Sequence, residues 1–166
     1  MLLTMFNVEI IPAEKLDSII PLLKILNPEI SFEVIEKRLH EIRISNYQCV
    51  GVYSDNQLIA ISGLWILNKI YAGKHIEPDN VVVHPDFRNK GVGELMMNRI
   101  HEYAIKQGCL TSELNARIVN EDGARFWKKQ GYEVVGYHFI KKLHSGDDKN
   151  SFNSCLSKRE SESKNH

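Results

Sequence analysis

VVVHPDFRNKGVGEL, residues 81–95, is the stretch on which the reading of this chain turns. Three β-branched residues run into a His-Pro turn. A basic, glycine-bearing loop follows, Arg88-Asn89-Lys90-Gly91-Val92-Gly93, and then a helical pattern carried by Leu95, Met96, Ile100, Tyr103, Ala104 and Ile105 as far as Gly108. A helix start leaves backbone N–H groups without partners and carries a partial positive charge. Glycines at 91 and 93 remove Cβ atoms that would obstruct an anion there, and they let successive N–H groups turn inward. Arg88 and Lys90 add charge at the rim. The loop reads as a seat for a phosphate or pyrophosphate. The plainer reading is a βα turn that uses glycine for tightness. Two phosphate loops can be tested directly. GxGxxG wants a small residue where Met96 stands, and GxxxxGK[ST] is absent.

Working outward, the pattern gives a strand over 8–13 and a helix over 13–26 that Pro21 should kink or end. Ser31 is an N-cap for a helix beginning at Phe32, with Val34, Ile35, Leu39 and Ile42 on one face. Segments 47–54 and 57–67 read as a hairpin turned by Asp55-Asn56, residues that tolerate positive φ. Segment 75–83 is a strand, irregular or bulged because Pro78 cannot donate to a ladder. After the long helix come a strand over 109–116, a helix over 120–130 that Asn120 can cap and Gly131 closes, and a final strand over 132–143. The order β-α-α-β-β-β-α-β-α-β implies an α/β (α+β) domain over 1–143 built on one mixed sheet. Residues 144–166 are polar and serine-rich without periodicity, so a disordered tail is expected.

Composition sets limits. Among 166 residues, 21 Lys and Arg balance 21 Asp and Glu, so an anion must be held by local geometry and a nucleic-acid partner is not expected. Cys49, Cys109 and Cys155 have no CxxC spacing, which implies free thiols and a cytoplasmic setting, not a disulfide framework or zinc knuckle. No signal peptide or membrane-spanning run is present in the pattern, so no membrane partner is expected. His75 and His84 lie at opposite ends of one strand, too far apart to chelate together, and no metal is assigned. Trp65 reads as core or pocket wall.

The segment 81–109 resembles the acetyl-coenzyme A signature of the GNAT family of N-acetyltransferases, whose core R/Q-x-x-G-x-G/A falls on Arg88 to Gly93. NEDGARFWKKQGYEVVGYHF is similar to that family's N-x-x-A-x-x-F-Y-x-x-x-G-F segment, with Asn120, Phe126, Gly131 and Tyr132 in place and Ala124 one position late. The resemblance covers roughly 47 to 143. It implies a GNAT-like mixed, twisted sheet of six to seven strands with flanking helices and a splayed central pair, here 75–83 and 109–115. It implies acetyl-CoA as co-substrate. Backbone groups of Val81, Val82 and Val83 would meet the pantetheine arm like an added strand. Arg88, Asn89, Lys90, Gly91, Val92, Gly93 and Glu94 would meet the pyrophosphate, with Asn120, Phe126 and Trp127 as further cofactor contacts.

Acetyl transfer to an amine requires loss of a proton from the ammonium and, usefully, gain of one by the thiolate. Glu77 and Asp79 share one side of their strand, and either can accept the proton; Glu77 is the better base candidate. Where the family often has an acidic tyrosine stands Trp127, and an indole N–H cannot serve as an acid. Tyr132, Tyr137 and His138 are near in sequence, and strand alternation puts the last two on opposite faces, so at most one faces the cleft; Tyr137 is the one taken into the catalytic set. Phe32, Ile35, Leu39 and Ile42 line an acceptor pocket or form core. The function implied is an N-acetyltransferase acting on a small-molecule primary amine in a ternary complex. A non-catalytic acyl-CoA-binding or interaction module is the alternative, and a nucleotide-phosphate binder is a third. Pairing of equivalent final strands would make a homodimer.

Overall fold

A computed structural model of the chain describes residues 6–117, 120–141 and 143. The tail expected over 144–166 lies outside them. The chain divides into two units, Met1–Leu114 and Asn115–His166.

The hairpin organises the first unit. β2 (Tyr47–Ser54) and β3 (Gln57–Lys69) are antiparallel, and the turn between them places Asp55 and Asn56 at φ 48° and 65°. β1 (Phe6–Ile10) pairs with β2, and β4 (Gly73–Val83) with β3, both antiparallel. β5 (Thr111–Ser112) joins β4 in parallel, giving the order β1-β2-β3-β4-β5.

Helices cover both faces. Pro21 acts as the sequence requires: a 3-10 helix, Ala13–Ile19, gives way to α1 (Ile20–Leu26) with the proline in its first turn, where a missing N–H is harmless. α2 (Phe32–Arg43) starts at Ser31, whose hydroxyl accepts from Val34 N–H. Leu16, Ile19, Leu22, Leu23, Ile35 and Leu39 close over Cys49, Ile61 and Val82 of the sheet. Ile35 and Leu39 are therefore core, whereas Phe32 is half exposed beneath the Lys24 ammonium. α3 (Val92–Lys106) packs on β2, β3 and β4 through Val92, Met96, Met97, Ile100 and Ala104. A Tyr103 hydroxyl bond to Gln48 puts it on the opposite face from Cys49, by strand alternation. Gly108, at φ 75°, ends it: Gly108 N–H bonds Ile105 C=O and Cys109 N–H bonds Ala104 C=O, a Schellman closure. No helix among the described residues is long and apolar enough to cross a membrane.

Three sequence expectations need correction. The strand expected over 109–116 is only Thr111–Ser112, and residues 132–141 of the expected final strand have no regular secondary structure. The sheet therefore has five strands among the described residues, not six to seven. Alternating apolar residues record a willingness to be half buried; a strand forms only where a neighbour offers a ladder. The alternation argument for Tyr137 and His138 lapses with that strand, as does the ladder on which a homodimer was expected. The first strand also starts earlier than the sequence pattern suggests, at Phe6, and ends at Ile10, not at residue 13, because Pro12 follows.

Candidate functional site

The site begins where β4 and β5 part. Lys74 C=O accepts from Leu110 N–H at 2.7 Å, and Ile76 C=O accepts from Glu113 N–H at 2.9 Å. Even-numbered residues of this half of β4 thus turn their backbone groups toward β5. The next in that series is Pro78, which has no N–H. The ladder loses its donor and stops, and among the described residues no strand pairs with this edge of β4 beyond Ile76.

Just beyond, one residue is inserted. Gly63 pairs with Asp79 but Ile61 pairs with Val82, so Asn80 and Val81 together oppose Ser62 in a β-bulge. Asn80 takes φ 50°. The insertion reverses the parity of the strand. His84 N–H donates to Ile59 C=O at 2.8 Å. His84 and Val82 therefore turn toward β3, while the backbone groups of Val81 and Val83 turn to the unpaired edge. The sequence reading treated the three valines alike and put the irregularity at Pro78. The structure separates Val82, whose side chain is in the core, and puts the bulge at Asn80.

Asp79 holds the bulge. One carboxylate oxygen accepts from the Asn80 backbone N–H at 2.8 Å, and the other accepts from the Asn80 side-chain amide at 2.8 Å and from the Trp65 indole at 3.4 Å. Trp65 leans on Tyr47, ring centroids 5.0 Å apart. The Tyr47 ring lies across the strand at Gly63, where a Cβ would stand 2.2 Å from its hydroxyl. Burial first, and then Cys49 and Asp79, push the Tyr47 phenol far above its usual range, against a weaker opposing pull from its bond with Asn80.

After Val83 the chain turns through a 3-10 helix, Pro85–Phe87, into the basic loop. Arg88 is tied back, its Nε donating to Val83 C=O at 3.1 Å. Lys90 lies over the Phe87 ring at 5.3 Å. Asn89 and Gly91 adopt φ 58° and 77°. The first bond of α3 runs from Leu95 N–H to Gly91 C=O, so the N–H groups of Val92, Gly93 and Glu94 lie ahead of the helical ladder. An ideal Cβ on Gly91 would meet nothing within 4 Å. The space that a side chain would fill is open, as an approaching polyanion requires, and the loop fits the diphosphate of acetyl-CoA.

On the same side of β4 as Asp79, Glu77 is heavily engaged. Its Oε1 accepts from Lys69 Nζ at 2.8 Å and from His75 Nε2 at 3.1 Å. Lys69 also donates to Glu113 at 2.9 Å. Burial pulls the Glu77 carboxyl upward, but the bonds from Lys69 and His75 and their charges outweigh it, and its pKa is lowered. The bonds of Lys69 to Glu77 and then to Glu113 raise its own pKa. His75, Glu77 and Glu113 offer donor atoms within 4.8 Å of one another, a metal-like grouping, but a lysine ammonium already bonds both carboxylates. Sequence reasoning missed Lys69 and Glu113. Their partnership spans 44 positions, and no local pattern signals it.

In the second unit, Asn120 accepts from Gly123 N–H at 2.9 Å and so caps α4 (Glu121–Lys129). Gly131, at φ 86°, closes that helix with Tyr132 N–H on Trp127 C=O. Phe126, Trp127 and Tyr132 form an edge-to-face stack at 4.9 and 5.4 Å. The Tyr137 and Phe139 rings are 6.3 Å apart.

Residues 19–132 match the model of the acetyltransferase (GNAT) family. The chain belongs to the GNAT family. It is an acetyl-CoA-dependent acyltransferase, as GNAT proteins are. An uncharacterized N-acetyltransferase of Bacillus subtilis (strain 168), YhdJ, is 24% identical over 123 residues, 73% of this chain and 87% of the relative. Among solved structures, an aminoglycoside N-acetyltransferase AAC(6')-Iy in complex with CoA has a TM-score of 0.73 at 14% identity, over 84% of this chain and 95% of that one. A ribosomal-protein-alanine N-acetyltransferase from Brucella melitensis biovar Abortus 2308 has the same score, 0.73, at 17% identity, over 84% of this chain and all of that one. The GNAT fold is thus shared equally with a neighbour named for a small molecule and one named for a protein.

Proposed function

We propose that this GNAT protein moves an acetyl group from acetyl-CoA to a primary amine of a small molecule, by direct attack in a ternary complex. The observation that carries the reading is the parting of β4 from β5 at Pro78, which leaves the backbone of Val81 and the N–H of Val83 on an edge that no strand among the described residues pairs with, running into the Gly91 loop. The pantetheine amides pair with that edge as an added strand. The diphosphate takes the N–H groups of residues 89 to 93 and Glu94, with Arg88 and Lys90 at the rim. The amine nitrogen attacks the thioester carbonyl, the C–N bond forms, the C–S bond breaks, and an outward N–H of the β4 edge stabilises the oxyanion.

Proton handling falls to Glu77, Asp79 and water. Glu77, already holding two donors and with its pKa lowered, acts as an anion that attracts the ammonium and passes its proton through water. Asp79 shares the strand face and fixes the backbone at the reacting centre. The departing thiolate takes its proton from water, since the indole of Trp127 cannot supply one. The small-molecule acceptor draws on the aminoglycoside acetyltransferases among the fold neighbours, and the ribosomal-protein-alanine N-acetyltransferase of equal TM-score sets the peptide arm of its test.

The test is thiol release from acetyl-CoA across a panel of small amines and amino-terminal peptides. Turnover with an amine of the small-molecule set and none with peptides is expected. Trp127 favours the second reading, a non-catalytic coenzyme A binder. That reading predicts heat on titration with coenzyme A and no thiol with any amine.

A further inference from the structure

The ion-pair cluster at the fork offers more than the anion that the proposed chemistry takes from Glu77. Glu113, the residue directly after β5, is still held to β4 through its N–H on Ile76 C=O at 2.9 Å. Its carboxylate accepts from Lys69 Nζ at 2.9 Å, and the same ammonium reaches Glu77 on β4 at 2.8 Å. One cation therefore joins the two strands at the final step before Pro78 ends their ladder. The side chains of Lys69, Glu77 and Glu113 are only 31%, 24% and 32% exposed, so this is not a pair of mobile surface groups. Behind them His75 is fully buried, with Nδ1 3.1 Å from Gly73 C=O and Nε2 on the carboxylate oxygen that Lys69 also uses. The carbonyl and carboxylate can only accept, so the ring braces Glu77 from beneath.

We propose that Lys69 is a positioning residue that pins β4 to β5 at the fork, and so fixes where the cofactor groove opens. An ionic pin suits the place. A backbone bond is unavailable at Pro78, and a doubly engaged ammonium can hold two strands whose backbones are already diverging. Without it the parting would migrate back toward His75 and widen the edge that the pantetheine arm must match. This inference rests on the cofactor reading above.

The test compares wild type, Lys69→Met and Lys69→Arg by hydrogen exchange at the Glu113 amide and by acetyl-CoA kinetics. In Lys69→Met the Glu113 amide should exchange roughly tenfold faster. KM for acetyl-CoA should rise roughly fivefold with kcat nearly unchanged. Lys69→Arg, whose planar fork can meet both carboxylates, should restore both. Unchanged exchange at Glu113 in Lys69→Met, or equal loss in Lys69→Arg, overturns the pin. Wild-type protein without affinity for coenzyme A overturns the cofactor reading instead, and the exchange comparison then decides the pin alone. If Lys69→Met does not fold, Glu113→Gln replaces it. That variant keeps an acceptor but removes one of the facing charges; the same faster exchange is expected, and its absence overturns the pin.

Discussion

The two halves of β4 differ in what they do with the same backbone. At His75 and Ile76 the strand is paired on both sides, with β3 and β5, and the Glu77 carboxylate that follows is closed into a cluster with His75 and Lys69. From Pro78 to Val83 it is paired on one side, bulged, and followed by a loop with open space at Gly91. Regular pairing satisfies a strand and leaves it inert. Function needs donors withheld from neighbours, and two residues do this here: Pro78 by lacking an N–H, and Asn80 by adding a residue.

Four experiments break or sharpen that contrast. The largest effect is expected from Gly91→Trp, which puts an indole in the place of the anion. Coenzyme A binding by calorimetry should disappear, while stability falls by only about 1–2 kcal/mol for the left-handed backbone. Normal binding would remove the loop from the site. Asp79→Ala should come next. It strips the acceptor from the Asn80 N–H and from Trp65, which costs about 1–3 kcal/mol in denaturant unfolding. By contrast Asn80→Gly should be nearly neutral for the backbone, since glycine accepts φ 50° freely. Equal losses in the two would mean that the side-chain amide, not the bulge, matters.

Pro78→Ala returns a donor to the open half. The β5 ladder should lengthen by one bond, the new amide at 78 should be protected from exchange, and coenzyme A should bind about fivefold more weakly. Tighter binding would show that the fork does not depend on the proline. The smallest effect concerns acid. A carboxyl whose native pKa is depressed, as at Glu77, adds stability that is complete above the unfolded value of about 4.3 and is lost as pH falls through the native one. Glu77→Gln should therefore lower stability above about pH 4.3 and flatten the loss below it. An unaltered acid limb would separate Glu77 from the cluster.

Much of the closed architecture was legible because its signals are local. Asp55-Asn56 announced positive φ, Pro21 announced a helix break, Gly108 and Gly131 announced helix ends, and all four act as their chemistry demands. The Gly91 loop was legible for the same reason, since a glycine at the start of a helix is a local device. The bulge was half legible. Pro78 was visible as a ladder defect, but the extra residue is Asn80, a type that tolerates left-handed backbone, and only the register with Ile61 and Gly63 reveals it. The ammonium bridge from Lys69 to Glu113 was not legible, because it joins residues brought together by folding alone. The final strand failed for a related reason: residues 132–141 have a strand's composition, and composition does not supply a partner.

The bulge also makes spacing, rather than residue type, the fragile quantity in this part of the molecule. Substitutions at 81 or 83 change a side chain and leave the main-chain groups where they are. Deleting a single residue between Asp79 and Val83 would act like a frameshift, sending the core-facing valine outward and swapping the groups offered at the rim for those bound to the neighbouring strand. Length variation among natural or engineered forms should therefore be found on either side of this segment and not within it.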